Sequence, residues 1–282
     1  MPPFWLSIAV LSLVQGALVA LPGSLPNFLP SRLHGRRWAL IPPASVIGFV
    51  LIAGAAEHAS AQGLTYLALV AVPLLAAAAL LWLLHGARPL WLLGAPILFG
   101  LAWADRGGLA GQSAALILSG LSCVTLGVLI AAVTPPRWLA GGIVAMAVAD
   151  TALVVSDLLQ KPNNALNAAH PVAGLPQFQS AVFGSAVMGY GDLFVAGALG
   201  GLLAAALGRS EQLRGAVLTA IFALCFDLLF FFVNELPATV PVALALIVVV
   251  LRRRRRSAVR PPQGLDLLDA RSPHQRGAPV AP

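Results

Sequence analysis

The chain has 282 residues, of which 59% are hydrophobic and only 10% are charged, and its mean hydropathy is +0.89. Soluble globular proteins are about 25% charged, so this composition excludes a soluble domain, which needs polar surface to face water. Several apolar runs reach the ~20 residues that a helix needs to cross a bilayer, without the alternation of a barrel strand. The sequence therefore predicts an all-α membrane protein that crosses the bilayer many times.

The net charge of +7 is distributed in a way that argues against a nucleic-acid partner. Five arginines form one run, Arg252 to Arg256, directly after an apolar segment, which is a signal of membrane topology. Cys123 and Cys225 both lie inside apolar runs, where buried cysteines act as small apolar residues. We therefore expect no disulfide, no metal and no cofactor.

The apolar runs predict nine transmembrane helices in three regions. Residues 1–135 hold about five scaffold helices, 136–251 hold four helices with the unusual polar residues, and 252–282 form a basic tail. The tail is rich in Pro, Arg and Gly, which predicts disorder. The predicted spans are residues 3–21, 37–55, 64–84, 89–104, 109–133, 137–159, 178–207, 213–233 and 236–251.

Basic residues predict the orientation of these spans. With the N-terminus outside, fifteen of the seventeen Lys and Arg residues lie on the cytoplasmic side, and the outer loops hold only Arg106 and Lys161. Because cytoplasmic loops are enriched in basic residues, the count favours an odd number of spans and a cytoplasmic C-terminus. One Lys against sixteen Arg, in a chain rich in Ala, Leu and Gly, is typical of a GC-rich bacterial genome. We expect a bacterial cytoplasmic membrane.

Three carboxylates lie deep within apolar runs: Asp150, Asp192 and Asp227. A charged side chain at mid-bilayer costs at least ~3 kcal/mol, and no Lys, Arg or His lies near the middle of a predicted span to pair with one. These acids must therefore be protonated, face a wet cavity, or share protons with each other.

Depth allows Asp150 and Asp192 to be partners. Asp150 follows Arg137 and lies roughly 19 Å from the cytoplasmic side, and Asp192 precedes Leu207 by a distance of roughly 22 Å, at 1.5 Å per residue. The two spans run in opposite directions, so both carboxyls can reach one level of the bundle. Asp157 would lie about 10 Å nearer the outside.

Asp192 ends the motif Gly189-Tyr190-Gly191-Asp192. Two glycines spaced by one residue let a backbone or a substrate approach closely and loosen a helix, which suits an acid that must meet an extended peptide. The same glycines also suit a small-residue face for helix packing. A second Asp at matched depth one span earlier favours the functional interpretation.

These residues resemble the intramembrane aspartyl proteases of the presenilin and signal peptide peptidase type. That family has nine spans, one catalytic Asp in the sixth, a second in a GxGD motif in the seventh, and a Pro-Ala-Leu motif opening the ninth. Here Ala149-Asp150, Gly189-Tyr190-Gly191-Asp192 and Pro237-Ala238-Thr239 follow in that order. The resemblance implies an Asp150/Asp192 dyad that cleaves transmembrane or signal-peptide-like substrates, with Pro237, Ala238 and Thr239 at the substrate edge.

The chain departs from the family at two positions. Ala149 stands where the family has Tyr before its first Asp, and Thr239 stands where it has Leu. The resemblance is therefore to a divergent member, whose activity and partner subunits are left open.

Bacterial prepilin peptidases offer an alternative, since they also pair an Asp with GxGD. Their motif continues with a Lys where this chain has Phe194, and Asp157, followed by Pro162-Asn163, would take the part of their first Asp. Asp227 is either a structural acid between helices or a third polar group in the cavity. Two other interpretations stay open: a proton- or cation-coupled transporter, and a catalytically inactive membrane scaffold.

Overall fold

The computed structural model describes residues 2–23, 35–55, 57–158, 160–169, 171, 174–233 and 235–259. They form a predominantly helical bundle with one small β-hairpin. In chain order the elements are α1 (Phe4–Ala20), α2 (Ile41–Ala55), α3 (Glu57–Ala78), α4 (Gly94–Ala104), α5 (Leu109–Val133), α6 (Pro136–Val155), α7 (Gln160–Ala168), β1 (Ser180–Phe183), β2 (Ala186–Gly189), α8 (Tyr190–Ala206), α9 (Arg209–Asp227) and α10 (Val240–Val259).

Short turns of other helix types extend four of these helices. A 3₁₀ turn, Arg36–Leu40, leads into α2, and a π turn, Ala79–Leu83, continues α3. Two further 3₁₀ turns, Pro89–Leu93 and Leu228–Phe231, precede α4 and follow α9.

Four helical stretches are long and apolar enough to cross a bilayer. They are Ala61–Leu83, Leu109–Val133, Pro136–Val155 and Arg209–Phe231. Shorter apolar helices cover Phe4–Ala20, Pro89–Ala104 and Tyr190–Ala206. The all-α membrane architecture agrees with the sequence, whereas the number of nine spans and the orientation stay predictions.

The prediction of a helix is wrong for the first part of the seventh span, residues 180–189. Residues 180–189 form an antiparallel hairpin in which Phe183 pairs with Ala186 across a two-residue turn. Gly184 opens that turn with φ 59°, a conformation that favours glycine, and Gly-Ser is a typical type II′ hairpin sequence. The helix therefore begins only at Tyr190, and Asp192 lies in its first turn and not in its middle.

Two other boundaries also differ from the sequence-based expectation. The predicted outer loop contains the short helix α7. The last helix begins at Val240 and continues through the arginine run to Val259, where a disordered tail was expected from Arg252. The remainder of that tail, residues 260–282, lies outside the described residues.

Close packing places α8 between α5 and α1. A Cβ at Gly197 would lie 2.3 Å from the carbonyl oxygen of Cys123 on α5, and one at Gly200 would lie 2.6 Å from that of Val19 on α1. Small residues let helix backbones approach this closely in membranes. The same helix begins with the GxGD motif, so this packing determines where Asp192 lies.

Candidate active site

Asp150 lies on the inward face of α6. It continues a buried stripe through Ile143, Met146 and Ala147, at the three- and four-residue spacing of one helix face, and only 8% of it is exposed. Its Oδ2 accepts a 2.6 Å hydrogen bond from the Thr239 hydroxyl. The last residue of the Pro-Ala-Thr segment therefore holds the acid.

Thr239 lies directly before α10, and its position explains this contact. Its carbonyl accepts the N–H of Ala243, so it occupies the N-cap position, where a Thr hydroxyl ordinarily bonds to the first turn of its own helix. Here the fully buried side chain donates to Asp150 instead. A leucine could not make this bond, so the departure from the family motif supplies the partner of the first acid.

Asp192 is held by the start of its own helix. It is the third residue of α8, and its Oδ2 accepts a 3.1 Å hydrogen bond from the N–H of Gly189, the N-cap residue. This is half of a capping box, and the helix N-terminus favours a negative charge at this position. Capping is thus a structural role for Asp192, and it also fixes the orientation of the carboxyl.

The packing of α6 against α8 brings the two acids together. A Cβ at Gly191 would meet the Met146 methyl group at 3.7 Å, and Met146 precedes Asp150 by one helical turn. The carboxyls of Asp150 and Asp192 are close enough to interact electrostatically. The two acids whose depths match in the sequence therefore lie within electrostatic range of each other in the structure.

Tyr190 is anchored to α5, a contact that the sequence did not predict. Its hydroxyl lies 2.6 Å from that of Ser122, and its carbonyl accepts a weak 3.9 Å bond from the Cys123 thiol. Ser122 is fully buried, so this anchor lies inside the bundle. It holds the first residue of α8, two residues before Asp192.

Asp157 and Asp227 lie in different surroundings. Asp157 is exposed at the end of α6 with φ 59°, and the Leu158 N–H bonds to the Leu153 carbonyl, the pattern of a left-handed helix terminus. Asp227 ends α9 and accepts a 2.7 Å hydrogen bond from the Ser12 hydroxyl. Both therefore have structural roles that need no second carboxyl.

A groove of about 440 Å³ lies at the end of α6. The end of α6 and the segment after α9 line it, with Thr151, Val155, Asp157, Glu235 and Pro237 among its residues. Its lining includes Thr151, the residue after Asp150, but neither Asp150 nor Asp192.

Helix α1 contributes polar contacts to this part of the bundle, although the sequence assigned it a scaffold role. Ser12 and Gln15 are each 1% exposed and lie three residues apart on one face. Ser12 donates to Asp227, and Gln15 donates to the Ala238 carbonyl with a distance of 3.0 Å. The spacing of Ser12 and Gln15 in a mostly apolar helix was the signal in the sequence for these contacts.

Comparison with protein-family models, curated proteins and solved structures finds no match to this chain. The family resemblance therefore rests on the motifs and their order. Within the described residues, no three His, Cys, Asp or Glu side chains converge as metal ligands do.

Proposed function

We propose that this protein is an intramembrane aspartyl protease that hydrolyses peptide bonds of transmembrane or signal-peptide-like segments with Asp150 and Asp192. The observation that carries the proposal is that Asp150 and Asp192 lie on separate helices that pack through Met146 and Gly191, within range of electrostatic interaction. Each is oriented by a donor at the beginning of a helix. The proposal includes nine spans, an outside N-terminus and a cytoplasmic C-terminus.

The chemistry follows from two carboxyls that share one proton. Close like charges in a low dielectric do not both ionise. The ionised member removes a proton from water, whose oxygen attacks the scissile carbonyl, and the protonated member donates a hydrogen bond to the carbonyl oxygen. Collapse of the tetrahedral intermediate breaks the C–N bond, and a carboxyl proton passes to the leaving nitrogen. The pair titrates as a unit, so neither acid is assigned one role.

The groove at the end of α6 supports a peptide substrate. Its lining is mostly apolar and includes Asp157 and Glu235, which suits an apolar segment followed by polar residues. The hairpin that precedes α8 lies next to Asp192 in the chain, and its β2 strand ends at Gly189. We infer that an extended substrate segment meets protein backbone in strand conformation at β2, which ends three residues before Asp192.

The surroundings of Asp157 favour this proposal over the prepilin-peptidase alternative. That alternative needs Asp157 to face Asp192. Asp157 instead terminates α6 in an exposed, left-handed conformation, whereas Asp150 interacts electrostatically with Asp192.

Cleavage by the purified protein in liposomes tests the proposal. The substrate is a transmembrane peptide labelled at both ends, and the products are identified by mass spectrometry. We expect cleavage within the apolar segment, inhibition by a hydroxyethylene transition-state analogue, and no products from Asp192→Asn. Absence of cleavage, together with proton or cation flux that Asp192→Asn abolishes, would replace the protease with the transporter.

A further inference from the structure

Gln15 of α1 contacts the peptide unit that leads to the hydrogen-bond partner of Asp150. Its Nε2 donates to the Ala238 carbonyl with a distance of 3.0 Å, and the hydroxyl of the next residue, Thr239, donates to Asp150 with a distance of 2.6 Å. The Ala238 carbonyl and the Cα of Thr239 belong to one planar peptide unit. One rigid plane therefore links the bond from Gln15 to the residue that bonds to Asp150.

This arrangement connects α1 to the first acid through two hydrogen bonds and one rigid peptide. The bond from Gln15 fixes the rotation of the peptide plane, and Thr239, whose Cα lies in that plane, carries the hydroxyl that bonds to Asp150. The orientation of the donor to Asp150 therefore depends on Gln15.

We propose that Gln15 is a positioning residue for Asp150 and acts through the Ala238–Thr239 peptide. The inference rests on the proposed protease function and extends it, because it gives α1 a part in the active site. Neither the Pro-Ala-Thr motif nor the two acids predict that part.

A purely structural role for Gln15 is the competing explanation. The peptide lies just before α10 begins at Val240, so its carbonyl falls outside the regular bonds of that helix and needs a partner in an apolar bundle. Gln15 would then stabilise the fold without affecting the chemistry.

Gln212 provides a matched control for this distinction. It is also a fully buried glutamine, and its Nε2 donates to the carbonyls of Val19 and Pro22, both with distances of 2.9 Å. It joins α9 to the C-terminal end of α1 and the residues after it. Gln15→Leu and Gln212→Leu therefore remove the same chemical group, once from the Ala238–Thr239 peptide and once from carbonyls outside it.

The experiment measures kcat, KM and thermal stability of both variants in liposomes with the labelled transmembrane peptide. We expect Gln15→Leu to lower kcat about tenfold, with KM within about twofold, since misplacing a reacting group costs rate. We expect it to weaken binding of the hydroxyethylene analogue by a similar factor. Gln212→Leu should lower thermal stability but leave kcat per folded molecule within about twofold.

A double-mutant cycle with Thr239→Val identifies the route. If Gln15 acts through the Thr239 peptide, the effects of Gln15→Leu and Thr239→Val on kcat are not additive. Additive losses, or a kcat for Gln15→Leu equal to that of Gln212→Leu, would overturn the positioning role while cleavage by the wild type upholds the protease. No cleavage by the wild type would overturn both.

Discussion

Two regions of the bundle hold a carboxyl in an apolar stretch, and they differ in what lies opposite it. Asp150 accepts a hydrogen bond from the Thr239 hydroxyl and lies within range of electrostatic interaction with the carboxyl of Asp192. Asp227 likewise accepts a hydroxyl, from Ser12 of α1, and it terminates α9. The sequence places all three acids at similar depth, so depth does not separate them.

This comparison indicates that the group next to an acid in an apolar helix determines the role of that acid. A hydroxyl satisfies a carboxyl and ties two helices together, which is a structural function. A second carboxyl adds repulsion unless one proton is shared, so a pair of acids is costly for stability. A site that keeps such a pair is better explained by chemistry than by packing.

The largest expected effect separates the two regions directly. Asp150→Asn and Asp192→Asn each remove a group that transfers a proton, and we expect cleavage of the labelled transmembrane peptide to fall at least about 10³-fold. Asp227→Asn keeps an acceptor for Ser12 and should stay within about threefold of the wild type. Initial rates of product formation in liposomes measure all three variants.

Equal losses in the three variants would contradict this contrast, because they would make Asp227 part of the chemistry. Circular dichroism and size-exclusion chromatography in detergent confirm that each variant is folded. Full activity in either Asp150→Asn or Asp192→Asn would exclude that residue from the pair.

The second prediction concerns the hydroxyl that holds Asp150. Thr239→Val keeps the shape of the side chain and removes the donor, so the carboxyl loses its hydrogen bond from this residue. We expect kcat to fall about tenfold, the scale for misplaced reacting groups, whereas Thr239→Ser keeps the hydroxyl and most of the activity. Thr239→Leu introduces the residue of the Pro-Ala-Leu motif, and activity above the wild type would show that the hydroxyl is not used.

Much of the site could be predicted from the sequence because polar residues are conspicuous in apolar helices. Asp150 and Asp192 were paired by their matched depth and by the GxGD motif, and the structure places them within range of electrostatic interaction. The hairpin was missed because residues 178–207 are apolar almost throughout, and apolarity alone does not distinguish a strand from a helix. Gly184-Ser185 was the local signal, since a two-residue turn of this type joins antiparallel strands.

The contacts across the bundle could not be predicted. Thr239 meets Asp150 because α10 packs against α6, and Gln15 meets Ala238 because α1 and α10 both pack against α9; no local pattern encodes which side chains then face each other. Thr239 departs from the Pro-Ala-Leu motif, and its hydrogen bond to Asp150 gives that difference a physical reason.

The third prediction tests the structural role of Asp227. Asp227→Ala leaves the buried Ser12 hydroxyl without this acceptor, and we expect a loss of about 1–3 kcal/mol in the free energy of unfolding. Adding Ser12→Ala removes the unpaired group and should recover part of that loss. Unfolding in detergent with increasing denaturant measures both variants, and unchanged stability in Asp227→Ala would show that the bond contributes nothing.

The smallest expected effect concerns the two glycines of the GxGD motif. A Cβ at Gly189 would lie 3.0 Å from Asp192 Oδ2, tighter than an ordinary contact, whereas one at Gly191 would meet the flexible end of Met146 at 3.7 Å. Gly189→Ala should therefore shift the carboxyl and lower kcat a few-fold, and Gly191→Ala should lower it less. The reverse order would mean that space at Gly191 is needed by something besides Met146. A substrate backbone that approaches Asp192 from the side of α6 would have that effect, so this pair of variants also reports the direction from which the peptide reaches the acids.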